Sequence, residues 1–265
     1  SLAHTISLVG KDGANIVKGK VGNTTSTFYP DADPESTSVD GSVSFDTDPG
    51  GSWNAAHDAT ASGGSLGGAF PSLALSTDTN NGIGVYNSSN GRHIIGRGFF
   101  LFDSSPLGDT DTIDSATFSF YISSKNDLDN DANAFISVVQ SSPASNTDLI
   151  GEDYDQCGVI DNPTEGVASG DRADITNITT SAYLDFPLNA TGLSWISKTG
   201  ITKLGAREGH DIVDDPPTNN GGNMHSSVFI YFADQAGTTN DPKLVVVHSA
   251  PASATHRGFF GFMGM

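Results

Sequence analysis

A chain of 265 residues with one cysteine, Cys157, can form no intrachain disulfide and no zinc centre of the all-cysteine type. A lone thiol of this kind is expected to be buried and inert. Basic residues are also scarce: 12 lysines and arginines stand against 31 aspartates and glutamates, a formal charge of −19. Phosphate-rich partners are repelled at most approaches, so nucleic-acid binding is not expected. Long apolar runs are missing too. No stretch of about 18 apolar residues occurs, and the opening SLAHTISLVG has neither a basic n-region nor a long apolar core, so no membrane span is expected. A serine at position 1 fits removal of an initiator methionine as well as cleavage of a longer leader.

What is present is sheet patterning. Residues 92–123 read as two long strands around an acidic turn. In the second half Phe118, Phe120 and Ile122 alternate with polar neighbours, the period of a strand with one buried face. In the first half Ile94, Ile95, Phe99, Phe100, Leu101 and Phe102 form a nearly continuous apolar run, which suits a strand buried on both faces. The pair is expected to be the centre of an all-β domain, with Pro, Gly and Asp setting the turn between them.

Further strands are expected at residues 135–140, 183–188, 201–207, 228–233 and 244–248, with weaker ones at 28–29, 39–45, 73–75 and 83–86. Residues 59–69 read as loop, and Gly82 and Gly84 as a bulge or a close packing point. Residues 141–181 are a long polar excursion of the kind that faces a partner. Residues 191–198, with Trp195, suit the one short helix, closed by Gly200. About ten short elements separated by turns describe a jelly-roll-like antiparallel sandwich over residues 28–249, preceded by an arm (1–27) and followed by an apolar tail (250–265). The arm is locally basic through Lys11, Lys18 and Lys20, and Ile6 and Leu8 alternate as in a strand.

Arg97, Leu101-Phe-Asp-Ser-Ser105, the Pro-Leu-Gly turn and Ile113-Asp-Ser-Ala-Thr-Phe-Ser-Phe-Tyr121 resemble the signature of DNRLRE-type modules. Asp241-Pro-Lys-Leu-Val-Val-Val-His-Ser249 resembles that family's closing strand, and Trp195 followed by Gly200-Ile201 its helical segment. The motif that gives the family its name is absent. The resemblance implies a jelly-roll-like sandwich carried by bacterial surface proteins, polysaccharide-active enzymes and phage-encoded proteins.

Among candidate sites, Gly63-Gly-Ser65-Leu-Gly67 matches a nucleophile pattern without the strand and helix that this chemistry needs, and is read as chance. Asp127, Asp129 and Asp131 alternate in a turn after a strand, as oxygen ligands for Ca²⁺ do. The loop departs from an EF-hand at Ala132 and Val138. Asp31/Asp33, Asp109/Asp111 and Asp153/Asp155 repeat the spacing and are equally read as turns that cap backbone N–H groups. Glu208-Gly-His210-Asp211 either performs acid–base work, holds a metal, or is a hydrogen-bonded loop histidine. His225 and His248 have no histidine partner at zinc spacing. Trp53 and Tyr154, placed in loops, are candidate platforms for a sugar ring, and Trp195 is assigned to the core. Asn23, Asn87, Asn177 and Asn189 head N-x-Ser/Thr triplets that a Ser/Thr-rich chain yields by chance.

These readings converge on a non-catalytic structural protein of a phage virion or an extracellular filament. Copies of the chain would associate through the arm residues Ile6, Leu8, Lys11, Lys18 and Lys20 and the tail residues Phe259, Phe260, Phe262 and Met263. The alternative is a calcium-dependent carbohydrate-binding module that recognises cell-surface glycan.

Overall fold

The computed structural model describes residues 22–63, 80–129, 131–218 and 223–251, together with the backbone of two short strands near the start of the chain. Those two strands, β1 (Ser7–Val9) and β2 (Asn15–Val17), pair antiparallel with each other. The domain proper begins with β3 (Thr24–Phe28), inside the stretch expected to be arm, and continues with β4 (Asp40–Asp46) and the short helix α1 (Trp53–His57). Next come β5 (Asn80–Asn87), β6 (His93–Asp103), β7 (Thr112–Asp127) and β8 (Phe135–Gln140). The long excursion contains a 3₁₀ turn at Gly151–Gln156 and β9 (Ala173–Asp174). It leads to β10 (Ala182–Pro187), α2 (Ala190–Ser194) and β11 (Ile201–Glu208). The chain closes with α3 (Gly209–Val213), β12 (Met224–Tyr231) and β13 (Lys243–Ser249).

Eleven strands form one antiparallel sheet in the order β3-β13-β7-β12-β5-β6-β11-β8-β9, with β10 also on β7 and β4 also on β6. The sheet curls on itself, so the fold is an all-β sandwich. β6 and β7 are central, as the sequence suggests, but they are not paired to each other. Both edges of β6 are taken, by β4 on one side and by β5 and β11 on the other. Both edges of β7 are likewise taken, by β10 and by β12 with β13. The two strands meet through side chains across the core, where the Phe100 ring centroid lies 4.9 Å from that of Phe118 and 5.6 Å from that of Phe120.

The apolar run on β6 fills two cores. Phe100 and Phe102 enter the main core with Phe118, Phe120, Phe186 and Leu204. Ile95, Phe99 and Leu101 point the other way, into a smaller core with Val43, Trp53, Tyr154 and Cys157. Cys157 is fully buried, and burial pushes its thiol up to about 12. Gly84 combines a φ of +148° with a position where a Cβ would lie 2.3 Å from the Ser226 carbonyl oxygen, which explains a glycine inside β5.

Phe100 packs across the main core against Phe118 and Phe120 of β7 and against Phe232, just past β12, at 6.0 Å. Phe100→Ala is expected to lower unfolding free energy by about 3–5 kcal/mol, read from urea denaturation; a loss under about 1 kcal/mol would contradict a close-packed core at this point.

Candidate functional site

The polar centre of the molecule is built from one short segment, residues 208–215, where β11 runs into α3. Glu208 caps the helix by accepting from the His210 N–H at 2.8 Å, and Asp214 ends it in the left-handed region with φ 54°. A single helical turn sends successive side chains in different directions, so this segment serves three separate clusters.

Asp211 points into the interior. Its carboxylate accepts from Arg97 Nη2 at 2.7 Å and Nε at 3.0 Å, and from Arg207 Nε at 2.6 Å. The remaining guanidinium protons go to main-chain carbonyls: Arg97 donates to Tyr154 O and His57 O, and Arg207 to Val159 O and Ile160 O. Burial alone would raise the Asp211 carboxyl, but the charges of Arg207 and Arg97 dominate and hold it well below the carboxylate range. Two arginines and one aspartate thus clip three segments to the sheet.

His210 points to one side. Its Nδ1 lies 2.7 Å from Glu208 Oε1, which also accepts from Ser226 Oγ at 2.6 Å. Its Nε2 faces two carboxylates, 3.0 Å from Asp129 Oδ2 and 3.3 Å from Asp131 Oδ1. Burial opposes a charge on the ring, yet the hydrogen bond and charge of Glu208, with Asp131 and Asp129, raise His210 to about 9. Burial pushes Glu208 up to about 7. The structure therefore joins two features that lie some 80 residues apart in sequence, the acidic turn and the Glu-Gly-His-Asp segment. Asp127, the first residue of the expected calcium triplet, stands outside the group of ligand atoms that Asp129, Asp131 and His210 form.

Asp214 points to the other side. His57 Nδ1 lies 2.7 Å from Asp58 Oδ1, 3.5 Å from Asp214 Oδ1 and 3.8 Å from Asp161 Oδ1, while its Nε2 meets the Asp211 carbonyl oxygen at 3.0 Å. This cluster left no signal in the sequence, because its three carboxylates and one histidine come from three distant segments.

The two expected sugar platforms are not available as such. Trp53 sits on α1 at 6% exposure, donates from Nε1 to Asp214 Oδ1 at 2.8 Å and stacks on His57. Tyr154 is fully buried, donates to the Ala56 carbonyl oxygen at 2.8 Å and carries the Arg97 guanidinium 4.2 Å from its ring centroid. Both rings are needed to cover the second face of β6, a demand that residue type alone does not reveal. Trp195, assigned to the core, is half-buried: it packs on the main core and also lines an open groove of about 1090 Å³. Gly166 is required beneath it, since a Cβ there would lie 2.4 Å from the indole. The rest of the groove is mixed: Val159 and Ile160 stand among the polar side chains of Gln140, Gln156, Asp155 and Asp161. Other acidic turns serve the backbone: Asp31 accepts from the N–H groups of Ser36 and Thr37, and Asp153 from those of Ala144 and Ile150. Ser65, Ile6, Lys11, Lys18, Lys20, Phe259, Phe260, Phe262 and Met263 lie outside the described residues, and Leu8 is described only as backbone of β1.

A fourth acidic group tethers β4 to the β12–β13 connection. Asp40, buried, accepts from the Ala233 N–H at 3.0 Å, and burial drives its carboxyl well above the ordinary value. Asp241, 4% exposed, is pushed up to about 6 by burial and then by the charge of Asp234. A carboxyl raised on folding adds stability that is full below its unfolded value near 3.8 and is lost as pH rises through about 6. Asp241→Asn should therefore gain in urea midpoint over the native chain at pH 7 but not at pH 4. An equal difference at both pH values would show that Asp241 does not titrate this way.

Compared with known proteins, the chain matches no family model and no curated protein.

Proposed function

We propose that the chain is a non-catalytic surface module that binds a neutral polysaccharide in the open groove beside Trp195. The observation that carries this reading is the combination in one groove of a partly exposed indole with the planar amides of Gln140 and Gln156 and the carboxylates of Asp155 and Asp161. An aromatic face takes the C–H surface of a sugar ring, and amides and carboxylates accept and donate to its hydroxyls. An open groove of mixed polar and apolar lining suits a sugar polymer better than a small apolar ligand. The −19 charge disfavours anionic glycans, which restricts the expected ligand to neutral chains. The resemblance to DNRLRE-type modules supports an extracellular setting, on a bacterial surface or a phage virion. Affinity electrophoresis through gels containing neutral or anionic polysaccharides tests the proposal. The native chain should be retarded by at least one neutral polymer, and Trp195→Ala, folded by circular dichroism, should lose about tenfold or more in affinity. Equal retardation of the two proteins, or none in any neutral gel, would overturn it.

A second reading, self-association through the termini, is favoured by the position of β3. Among the described residues this strand pairs only with β13, so its outer edge offers free backbone groups to a strand from another copy. Deleting residues 1–20 or 256–265 should leave a folded domain with lower mass in light scattering than the full chain. Truncated proteins of unchanged oligomeric state would refute this reading.

A further inference from the structure

We propose that Asp129, Asp131 and His210 bind a first-row divalent cation of borderline character, for which Zn²⁺ is the probe. First, the orientation of the histidine is fixed. Nδ1 is committed to Glu208 Oε1 at 2.7 Å, which turns Nε2 toward the acidic turn. There Nε2 and its proton meet two carboxylates. A divalent cation that displaced this proton would bring more positive charge to the same point and leave Nε2 as a ligand. Metal-binding histidines characteristically have their other ring nitrogen held by a carboxylate in this way, which fixes the orientation of the ring.

The second argument is an unmet oxygen. The Asp129 side chain is 4% exposed, and among the described residues its Oδ2 is buried without a hydrogen bond although Nε2 is only 3.0 Å away. A proton on Nε2 points along one line and leaves this oxygen unserved, whereas a cation seated between the groups would serve all three ligand atoms at once. Leaving a buried carboxylate oxygen unpaired is otherwise costly.

The third argument is spacing and donor type. Bonds of about 2.0–2.2 Å to nitrogen and carboxylate oxygen hold neighbouring donors roughly 3.0–3.5 Å apart. The observed separations from Nε2 are 3.0 and 3.3 Å. Ca²⁺ instead collects six to eight oxygens at about 2.3–2.6 Å, and an imidazole is a poor member of such a set. Asp131, with a side chain 41% exposed, leaves the remaining coordination positions open to solvent. The site thus differs from the oxygen-only calcium triplet that the sequence suggests, by exchanging Asp127 for a histidine from α3, just past the end of β11.

The full chain, stripped with chelator, is titrated with ZnCl₂ and in parallel with CaCl₂, by calorimetry and by thermal unfolding. Zn²⁺ should bind at one saturable site that is lost on Asp131→Asn, with affinity falling at least tenfold while the metal-free melting temperature stays put. Co²⁺ should give visible d–d absorption with the native chain and not with Asp131→Asn. Asp161→Asn, in the His57 cluster, should leave both readouts unchanged. The proposal is overturned if Zn²⁺ binding is absent, if it survives Asp131→Asn or depends on Asp161, or if Ca²⁺ binds as tightly as Zn²⁺.

Discussion

Everything at the polar end of this sandwich depends on the pairing of Arg97 and Arg207 with one buried carboxylate, that of Asp211. Removing three charges from water is expensive, and their mutual attraction compensates only because the spare donors also find carbonyls. Those carbonyls belong to the end of α1, the 3₁₀ turn and the Val159–Ile160 stretch, segments with few regular backbone partners of their own. Loss of the Asp211 charge would leave two guanidiniums buried without a counter-ion. The loops would then lose the anchor that sets their position against β6, and the histidine clusters on either side of α3 would lose their frame.

The interior use of arginine also shapes the exterior. With only 12 basic residues in the chain, Arg97 and Arg207 are spent inside, Arg92 pairs with Asp46, and Arg172 pairs with Glu165. Asp40, Asp46, Asp153, Glu208, Asp211 and Asp241 are buried as well, and the many acids left outside still give the surface a strong negative charge. Such a skin keeps anionic polymers at a distance, and the groove beside Trp195, with Asp155 and Asp161 in its lining, shares that preference.

Strand existence was legible in the sequence wherever apolar periodicity was strong. The expected strand at residues 135–140 coincides with β8, and the unbroken apolar run on β6 does serve two cores. Pairing was not legible, because periodicity reports which faces are buried and not which strand lies at each edge. The expected helix at 191–198 shrinks to α2, with Asn189 capping it and Trp195 just beyond. Helices α1 and α3 gave no periodic signal, since five residues are too few to show one. The His57 cluster, and the meeting of the Asp129–Asp131 turn with His210, were hidden for a different reason. Each assembles from segments far apart in the chain, and only the Arg–Asp–Arg clip and the sheet register bring them together.

The edge formed by β3 and β13 has a mechanical consequence. The strands run antiparallel, with Thr24 beside His248 and Phe28 beside Leu244, so the chain enters and leaves the sandwich at the same end of one edge. Tension between the two flanks would act along the direction of the inter-strand hydrogen bonds and load them one after another, as a zip opens, instead of all at once, as in a sheared ladder. A copy held by one flank and pulled by the other would give way first at β3, while the cores behind β13 stayed shut.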